Sequence, residues 1–459
     1  MVELPIPKEW QTTKVSNLGT LIKGVNYKKH EARNVQEAGL KPILRANNIN
    51  GSLNFENLVY VPKNRIVPQQ YIERHDILFC MSSGSKNLVG KSSQAENCFD
   101  GSYGVFCALF RPLSIINPRF VGYFFQAPRY RKFISAISKG TNINNLKREY
   151  ILDIYFYLPP SQEQDEIVDS LEELFSDLDN AIENLKKAQG QLKVYRQAVL
   201  KYAFEGIFTK DWRKQKNLIR ESWKEMTVDE IGEVITGNTP SKKEQKYYAK
   251  DYPLYKPGDL DAGYAINDSK DGLSEEGIKK ARMLPARSVL VTCIGATIGK
   301  TGLIRKAGAC NQQINAIVPK EFMVSEYVYY FCISPSFQEQ IKTTASATTL
   351  PILNKTKFQR LVFLVPSYGE QIQIVQEIEK RHSFCQKLEE VITDSLNKAK
   401  ALRQSILKHA FEGRLTEQWR EEHKDLISGE NSAEALLQKI KDEKNHIEAG
   451  KKRKKEVRK

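Results

Sequence analysis

The sequence has few of the residues on which several protein classes depend. Its 459 residues include only seven cysteines, which are scattered and form no C-x-x-C pair, so neither a disulfide framework nor a zinc ribbon is indicated. The six histidines show no metal-ligand spacing and no pairing with a candidate nucleophile. We therefore expect no bound metal, no cofactor and no histidine-dependent active site.

Long apolar runs are also missing. No charge-free run approaches the ~18 apolar residues that a membrane-spanning helix needs. Residues 1–10 lack a basic stretch leading into an apolar one, which is the pattern of a secretory signal. Hydrophobic residues still make up 41% of the chain, enough to form cores in about three domains' worth of sequence. These observations predict a cytoplasmic protein that does not contact a membrane.

Positive charge is in excess. Lysine and arginine number 70 against 55 aspartate and glutamate, which gives a formal net charge of +15. The last ten residues, GKKRKKEVRK, hold seven basic residues and one glutamate, so most of the excess lies elsewhere in the chain. A distributed excess favours a polyanionic partner, most often nucleic acid. Solvated lysines that only keep a protein soluble would give the same count.

The main feature of the sequence is a long internal repeat, which has to be sought before any motif. Residues 195–214 (YRQAVLKYAFEGIFTKDWRK) recur 207 positions later as residues 402–421 (LRQSILKHAFEGRLTEQWRE). The same offset relates Pro159 to Pro366, Glu163 to Glu370 and Gln164 to Gln371. Near the start, an offset of 213 relates Trp10, Gly19 and Gly24 to Trp223, Gly232 and Gly237. The layout is therefore variable domain, similar helix, variable domain, similar helix.

The similar segments are predicted to be long paired helices. Pro159 and Pro160 end a strand, Ser161 with Gln164 matches a helix-capping box, and Glu163 is placed at the positive end of the helix dipole. Apolar residues then recur at alternating intervals of three and four, the spacing of a coiled coil. Polar residues interrupt this spacing in the second helix, which favours pairing with the first. The positions assigned to this helix-pair spacer are Leu171, Leu174, Leu178, Leu185, Leu192, Tyr195, Val199, Ile378, Leu388, Ile392, Leu402 and Ile406.

The variable segments are predicted to be mixed α/β domains. Short β-rich runs at 76–80, 105–110, 288–292 and 314–318 lie between turn-rich stretches, and residues 120–137 and 327–341 are predicted as short amphipathic helices. The expected fold class is α+β, with two mixed α/β domains joined by two long helices that form an antiparallel coiled-coil spacer in a pseudo-twofold repeat. The expected segments are the domains at 1–158 and 216–365, the helical spacer regions at 159–215 and 366–425, and a basic, partly helical tail at 426–459.

Motifs for catalysis are incomplete. Residues 295–301 (GATIGKT) resemble a phosphate-binding loop, but three residues separate the glycines where that motif has four. The same segment would also suit a glycine-rich loop whose Lys300 approaches DNA phosphate. Residues 99–104 (FDGSYG) resemble a methyl-donor loop, but the only Pro-Pro pair in the chain precedes the first long helix and cannot supply the second methyltransferase element. We predict no catalytic residue, with a P-loop-like nucleotide hydrolase as a disfavoured alternative.

The repeated motifs resemble those of one family. Two diverged domains, each followed by a helix that opens in L-P-P-x-x-E-Q and ends in A-F-E-G, resemble the specificity subunit of type I restriction–modification systems. The residues that carry the resemblance are 158–164, Val365-Pro366 with Glu370-Gln371, and the AFEG segments at 203–206 and 410–413. The second copy departs from the motif at Ser367-Tyr368-Gly369, where the first has P-S-Q. The resemblance covers nearly the whole chain.

The resemblance implies a non-catalytic DNA-binding subunit. In that family each variable part is a target recognition domain that reads one half of a split, asymmetric target in double-stranded DNA. The paired helices set the gap between the halves and dock two modification subunits, on which methyl transfer to adenine N6 takes place, and restriction (motor-nuclease) subunits join the full complex. The alternative that the residues leave open is a basic coiled-coil scaffold that binds DNA without sequence specificity.

The candidate DNA-binding residues are polar side chains in loop-like stretches. Arginine and lysine suit phosphate or guanine, and asparagine and glutamine suit the edge of adenine, although any one of them would equally suit a solvated surface. In the first domain they are Lys28, Lys29, Arg45, Asn47, Asn48, Lys86, Asn87, Lys91, Asn142, Asn144, Asn145, Lys147 and Arg148. In the second domain they are Lys242, Lys243, Lys246, Tyr247, Lys256, Arg282, Thr297, Lys300, Gln312, Gln313, Asn354 and Lys355.

Overall fold

The structure is a computed structural model that describes residues 6–84, 88–140, 145–346 and 350–456. The chain forms two compact units. The first unit comprises Met1–Glu183 and Ser395–Lys459, and the second comprises Asn184–Asp394. Each unit therefore combines one variable segment with part of both repeated helices. No helix among the described residues is long and apolar enough to cross a membrane.

In its described residues, the variable domain of the first unit is built from short strands and four α-helices. In chain order its elements are β1 (Gln11–Lys14), α1 (Val15–Leu18), β2 (Gly19–Lys23), β3 (Leu40–Leu44), β4 (Ile49–Asn50), β5 (Ser52–Leu53), β6 (Val59–Pro62), β7 (Ile77–Cys80), β8 (Ser92–Gln94), β9 (Ser102–Tyr103), β10 (Cys107–Pro112), α2 (Pro118–Phe124), α3 (Pro128–Gly140), α4 (Arg148–Leu152) and β11 (Tyr155–Leu158). The central sheet has the strand order β2-β10-β7-β8 and is antiparallel throughout. A second sheet has the order β6-β3-β9, in which β3 and β9 are parallel.

Aromatic side chains fill the core between the central sheet and its helices. Phe79 of β7 and Phe110 of β10 both meet the ring of Phe125, which follows α2, at centroid distances of 4.8 and 5.8 Å. Tyr130 of α3 packs edge-on against Phe125 at 5.2 Å. All four side chains are buried, so aromatic residues of two strands, of α3 and of the segment after α2 together form this core.

After α5 (Ser161–Phe204) and α6 (Lys210–Gln215), the second variable domain repeats the first. Its elements are β12 (Lys224–Thr227), α7 (Val228–Ile231), β13 (Gly232–Thr236), β14 (Tyr252–Tyr255), β15 (Asp271–Leu273), α8 (Glu275–Lys280), β16 (Val289–Thr292), β17 (Thr301–Leu303), β18 (Ala309–Cys310), β19 (Ile314–Pro319), α9 (Ser325–Cys332), α10 (Pro335–Thr344), α11 (Lys355–Gln359) and β20 (Val362–Val365). The sheets β13-β19-β16-β17 and β15-β14-β18 match those of the first domain. The closing strands match in register too, with Gln11 opposite Leu158 and Lys224 opposite Val365.

The chain continues into α12 (Tyr368–Phe411), α13 (Glu417–Glu422) and α14 (Ala433–Glu456). In the first unit the beginning of α5 pairs with the end of α12, where Arg403 forms an ion pair with Asp179 at 2.7 Å. In the second unit the beginning of α12 pairs with the end of α5, where Arg196 forms an ion pair with Glu389 at 2.8 Å. The predicted antiparallel pairing of the two repeated helices is confirmed.

Eight of the twelve predicted contact positions along the long helices are buried or half-buried, and four are exposed. Leu171, Leu178, Leu192 and Val199 are buried and Leu185 is half-buried, whereas Leu174 and Tyr195 are 39% and 45% exposed. In α12, Ile378 and Ile392 are buried and Ile406 is half-buried, whereas Leu388 and Leu402 are exposed. Where a predicted position is exposed, the next residue along the helix makes the contact instead. Examples are Phe175 after Leu174, Arg196 after Tyr195 and Arg403 after Leu402. Arginine stems cover apolar surface while their charges pair, so hydrophobicity alone gave the wrong phase.

Two helices that we predicted as continuous are split. Residues 120–137 fall in α2 and α3, and residues 327–341 fall in α9 and α10, with Pro128 and Pro335 as the first residues of α3 and α10. Proline has no amide hydrogen and disfavours helical backbone in the residue before it, so it begins a helix rather than continuing one. The four predicted β-rich runs correspond to β7, β10, β16 and β19 and are confirmed.

Candidate nucleic-acid interface

In the first unit three loops meet at one end of the central sheet. The amide of Met81, just after β7, donates to the carbonyl of Phe106 at 2.8 Å, and the amide of Leu146 donates to the carbonyl of Met81 at 2.7 Å. Ser82 and Asn145 form an isolated antiparallel bridge. We name the residues 81–82, 104–106 and 145–147 the first three-loop junction.

The second unit has the same junction, formed by residues 293–294, 311–313 and 352–354. Here the amide of Cys293 donates to the carbonyl of Gln313 at 2.7 Å, and the amide of Leu353 donates to the carbonyl of Cys293 at 2.8 Å. Ile294 and Ile352 form the equivalent bridge. The backbone of the two junctions is thus held by matching hydrogen bonds.

A glycine lies beside each junction, and the space available there explains why glycine occurs in both copies of the repeat. A Cβ atom on Gly24 would lie 2.1 Å from the carbonyl oxygen of Gly104, and one on Gly237 would lie 2.2 Å from that of Asn311. No side chain fits at such distances, so the loop after β2 or β13 can approach the junction only with glycine. Gly24 and Gly237 are the last residues of the motif that recurs at an offset of 213.

Several predicted DNA-binding residues lie at the junctions or directly beside them. In the first unit Asn145, Lys147 and Arg148 are exposed there, and the Arg148 side chain also donates to the carbonyl of Leu21 at 2.5 Å. In the second unit the exposed or half-buried residues at this place are Thr297, Gln312, Gln313, Asn354 and Lys355. Asn354 accepts the amide of Lys357 at 2.9 Å and caps α11, so its side-chain oxygen serves the domain. DNA contacts by the others stay predictions.

The remaining candidates of the first domain lie on other loops. Lys28, Lys29 and Asn47 are exposed, Arg45 is half-buried, and the Lys91 side chain donates to Asn50 at 2.7 Å. Asn48 is buried, and its amide group donates to the carbonyls of Asn54 and Glu56 at 2.8 and 3.0 Å. The prediction that Asn48 contacts DNA is wrong for this arrangement, because its hydrogen-bonding groups are used to hold its own loop. Lys86, Asn87, Asn142 and Asn144 lie outside the described residues.

Most remaining candidates of the second domain have acidic or backbone partners. Lys246 forms an ion pair with Glu276 at 3.4 Å, and the Arg282 side chain donates to the carbonyl of Thr236 at 2.6 Å. Lys256 binds Asp271, and this hydrogen bond lowers the pKa of the Asp271 carboxyl. Tyr247 is half-buried, and Lys242 and Lys243 are exposed. The prediction for these residues stays open.

The glycine-rich segment at 295–301 is a strand connection. It joins β16 to β17, and the amide of Gly299 donates to the carbonyl of Thr292 at 2.8 Å. A phosphate-binding loop has to open a helix, whose free amides hold the phosphate, and this segment opens a strand instead. Lys300 forms an ion pair with Asp261 at 2.6 Å. The segment therefore does not have the structure that a nucleotide hydrolase needs.

The chemistry around the junctions does not resemble that of an active site. Burial raises the pKa of the Cys80 thiol to about 11 and that of the Cys293 thiol to about 12, so both stay protonated near neutral pH and are poor nucleophiles. Within the described part of the chain, no group of three histidine, cysteine, aspartate or glutamate side chains is placed to hold a metal ion. What the junctions offer is a set of amides, cations and exposed apolar groups on a fixed backbone.

Sequence reasoning missed a buried polar cluster in each unit, which we name the domain clamp. In the first unit the Glu163 carboxylate accepts hydrogen bonds from the Trp10 indole at 2.9 Å and the Thr416 hydroxyl at 2.7 Å, and it binds the Arg420 guanidinium. Arg420 also donates to the carbonyl of Gly413 at 2.6 Å. Glu163 lies at the start of α5 and Arg420 follows α12, so the clamp fastens the domain to both long helices.

The clamp of the second unit has the same composition. The Glu370 carboxylate accepts hydrogen bonds from the Trp223 indole at 2.9 Å and the Thr209 hydroxyl at 2.7 Å, and it binds Arg213. Arg213 also donates to the carbonyl of Gly206 at 2.6 Å. The sequence contained a sign of this cluster, because these polar residues are identical in the two copies. Their burial depends on tertiary structure and was not predicted.

The predicted capping role of Gln164 is also wrong. Its side chain donates to the carbonyl of Pro159 at 3.0 Å and accepts the amide of Asn117, which precedes α2, at 3.1 Å. In the second unit Gln371 donates to the carbonyl of Pro366 at 3.1 Å and accepts the amide of Val324 at 2.8 Å. The Glu-Gln pair of the repeated motif therefore joins the helix to its domain: glutamate through the clamp and glutamine through the segment before α2 or α9.

Comparison with known proteins agrees with this repeated architecture. The chain matches the family described as "Type I restriction modification DNA specificity domain" over residues 7–189 and again over residues 220–398. It is 33% identical over 460 residues to the type I restriction enzyme StySPI specificity subunit of Salmonella potsdam, covering 97% of this chain and 98% of that one. It is also 33% identical over 456 residues to the EcoKI specificity subunit of Escherichia coli K12, covering 96% of each.

Solved structures share the fold. A chain from work on complex assembly and conformational transition of the type I R-M system is similar with a TM-score of 0.69 at 15% identity, over 90% of this chain and 100% of that one. The HsdS subunit from Thermoanaerobacter tengcongensis is similar with a TM-score of 0.54, also at 15% identity and with the same coverage. Because two family matches and two relatives of one third identity span most of its length, the chain belongs to the specificity subunits of type I restriction–modification systems, the non-catalytic components of these complexes.

Proposed function

We propose that this chain binds double-stranded DNA sequence-specifically, with each variable domain reading one half of a bipartite, asymmetric target. The observation that carries the proposal is the pair of three-loop junctions, whose backbones share two equivalent hydrogen bonds and one equivalent bridge while their side chains differ. A shared backbone would present side chains to DNA in the same way, and different side chains select different bases. Two unlike junctions therefore suit two unlike half-sites.

The differences between the junctions are of the kind that base recognition needs. Asn145 in the first junction corresponds to Ile352 in the second, and Ser82 corresponds to Ile294. Each exchange changes whether a side chain can donate a hydrogen bond or contact an apolar group. These are the properties by which base edges are told apart. A scaffold without sequence specificity would not require such differences on a matched backbone.

Two recognition domains discriminate better than one. Each mismatched base pair costs a DNA-binding protein about 1–3 kcal/mol, roughly additively for separate positions. In our proposal both domains are carried by one pair of helices, so their contributions add and the distance between the half-sites is restricted. We propose that the helices set this gap and dock two modification subunits, which methylate adenine N6. Restriction subunits would join the full complex, which acts on DNA in the cytoplasm.

The recognition proposal can be tested by mapping methylated adenines in a host that carries the chain with its modification subunits. We expect one bipartite, non-palindromic motif. Replacing residues 7–158 with the same region of another specificity subunit should change one half of the motif and leave the other half intact. The matched control replaces residues 220–365 and should change only the other half. A change of both halves after a single replacement would contradict independent reading, and methylation without any defined motif would contradict sequence recognition.

The gap proposal has a separate test. Inserting seven residues after Gly190 and seven after Asn397 keeps the helix contacts in phase and lengthens each helix by ~10 Å. At 3.4 Å per base step this corresponds to about three base pairs. The half-sites should keep their sequences while the gap widens by about that amount. Binding should also weaken, because three base pairs rotate one half-site by about a third of a ~10.5 bp turn. An active variant with the original gap would show that the helices do not measure DNA.

A further inference from the structure

Phe106 and Gln313 occupy the same place in the two junctions. They are 207 positions apart, the offset that relates the repeated helices. The carbonyl of Phe106 accepts the amide of Met81 at 2.8 Å, and the carbonyl of Gln313 accepts the amide of Cys293 at 2.7 Å. The two side chains thus leave equivalent points of the backbone, although one is aromatic and the other is an amide.

The loop that carries each residue is fixed at its other end as well. Two residues before Phe106, the amide of Gly104 donates to the carbonyl of Leu44 at 2.9 Å. Two residues before Gln313, the amide of Asn311 donates to the carbonyl of Tyr255 at 3.0 Å. A side chain on a loop fastened at both ends has little freedom to move away, which is what precise recognition of a base requires.

Phe106 is 64% exposed even though its backbone is fixed. Its carbonyl accepts a second amide, that of Ser82, at 3.1 Å. Across the junction lie the exposed side chains of Asn145 and Lys147. Leaving a phenylalanine in water among polar groups gives up the stabilisation that burial of its ring would bring. A partner that covers the ring would recover this.

Gln313 carries different chemistry at the same point. It is half-buried, and its side-chain oxygen accepts the amide group of Asn311 at 3.0 Å. This bond orients the side chain and leaves its own amide hydrogens as donors. A glutamine so held suits an acceptor on a base edge, whereas a phenylalanine offers a base edge an apolar contact and no hydrogen bond.

We propose that this position reads one base in each half-site, and that Phe106 contacts the 5-methyl group of a thymine in the major groove. The thymine methyl is the apolar group that base edges present there, so it is the group that an exposed phenylalanine at a reading position would recognise. Gln313 then reads a hydrogen-bond acceptor in the other half-site. This inference rests on the proposed function and assigns the side chain that reads one base in each half of the target.

Uracil provides the test, because it differs from thymine only in lacking the 5-methyl group. The full chain, assembled with its modification subunits, is assayed for binding to its mapped target with the thymines of the half-site read by the first domain replaced one at a time. One replacement should weaken binding about fourfold, which corresponds to ~0.8 kcal/mol for one methyl group. Phe106→Ala should bind the thymine target about fourfold more weakly and show no further loss with uracil at that position. Phe106→Leu should retain part of the uracil effect.

Gln313→Ala is the matched control. It should leave the uracil effect of the first half-site unchanged and weaken discrimination at one base pair of the other half-site. The inference is overturned if no uracil replacement in the first half-site weakens binding, or if Phe106→Ala keeps the full uracil effect at the same position. Either result leaves the proposed function standing as long as a defined bipartite motif is methylated. Absence of any such motif would instead remove the proposed function itself.

Discussion

The first and second units hold their domains with clamps made of the same four types of side chain. They differ in the residues that line the paired helices. Trp10, Glu163, Thr416 and Arg420 in one unit have their counterparts in the clamp of the other, with matching indole and hydroxyl distances of 2.9 and 2.7 Å. Along the paired helices, by contrast, the first unit has Phe175 where the second has His382 207 positions later. The parts that orient a domain are repeated, and the parts that contact only one domain have diverged.

The units also differ by one helix. In the first unit α14 packs on β1 and α1 through the buried side chains of Leu436 and Ile440, and Lys444 donates to Asn17 at 2.9 Å. The described residues of the second unit contain no counterpart of this helix. Among the described residues, the duplicated architecture therefore carries one helix that packs against only one of the two domains.

Breaking a clamp should produce the largest effect and should confine it to one unit. Arg420→Ala leaves the buried Glu163 carboxylate without its cation and should destabilise the first unit by about 3–5 kcal/mol. Arg213→Ala should do the same to the second unit. Hydrogen exchange resolved by peptide would show which unit loses protection. The control Arg74→Ala removes an exposed arginine of the same unit and should change stability by less than about 0.5 kcal/mol. Equal loss of protection in both units would contradict independent clamps.

The corrected helix contacts give the next test. Leu178→Asp places a charge at a position that is only 9% exposed and should destabilise the helix pair of the first unit by about 3 kcal/mol or more. Leu174→Asp, four residues earlier and 39% exposed, should have little effect. Chemical denaturation of the two variants measures both values. Equal destabilisation by the two aspartates would show that Leu174 is a contact position after all, as hydrophobicity alone predicts.

Shortening a core side chain of α14 tests the asymmetry between the units. Ile440 is fully buried, and Ile440→Ala should cost about 2–4 kcal/mol through lost burial and the cavity that remains. The loss of hydrogen-exchange protection should appear in β1, α1 and their neighbours and not in the second domain. Exposed Ile447 on the same helix is the control, because its replacement by alanine should be nearly neutral. Protection lost equally in both domains would show that α14 does not act on one unit alone.

The smallest expected effect concerns pH. Burial and the nearby Arg196 lower the pKa of His382 below its ordinary value of 6.5, so this side chain is neutral in the folded protein. Because the unfolded chain takes up the proton first, the second unit should lose stability as pH falls from about 6.5 toward the folded pKa. His382→Phe, which copies Phe175, should remove this part of the pH dependence. Denaturation from pH 7.5 to 5.5 measures it, and an unchanged slope in the variant would exclude His382 as the cause.

The first unit provides an internal reference for that experiment. Burial also lowers the pKa of His75, so the first unit should keep its own acid sensitivity in the His382→Phe variant. A change in the pH response of both units would point to an effect that spreads beyond the neighbourhood of His382.

Local patterns were enough to predict the domain plan but not the packing. The strands and the long helices follow from β-rich runs and from the repeat, and Pro128 and Pro335 could have shown where the short helices divide. The phase of the helix contacts could not be read from polarity, since Arg196 and Arg403 occupy contact positions through ion pairs whose partners were unknown. Nothing in the local sequence of Asn48 distinguishes a loop-holding asparagine from a DNA-binding one.

The exposed residues show a similar limit. The sequence does not indicate that Phe106 is exposed, because this residue lies in a β-rich run, where phenylalanine is normally buried. Phe106 is exposed because β10 begins only at Cys107, which leaves Phe106 in the loop before the strand. The repeat aligns Phe106 with Gln313, but it does not show that both residues lie at a three-loop junction. That placement follows from the hydrogen bonds of their backbones.

The clamps have a consequence for how the molecule opens. In the second unit Arg213 and Trp223 are only ten positions apart in the sequence. When this clamp opens, the short connecting segment keeps the two residues close, so they can re-form their contacts quickly. In the first unit Arg420 and Trp10 are 410 positions apart, and closing a contact across so much chain carries a larger entropic cost. Transient opening should therefore begin at the first clamp. The helix α14, which distinguishes the units, packs on β1 and α1, the elements that immediately follow Trp10. It therefore helps to hold the first clamp together, whose residues are not connected by a short segment of chain.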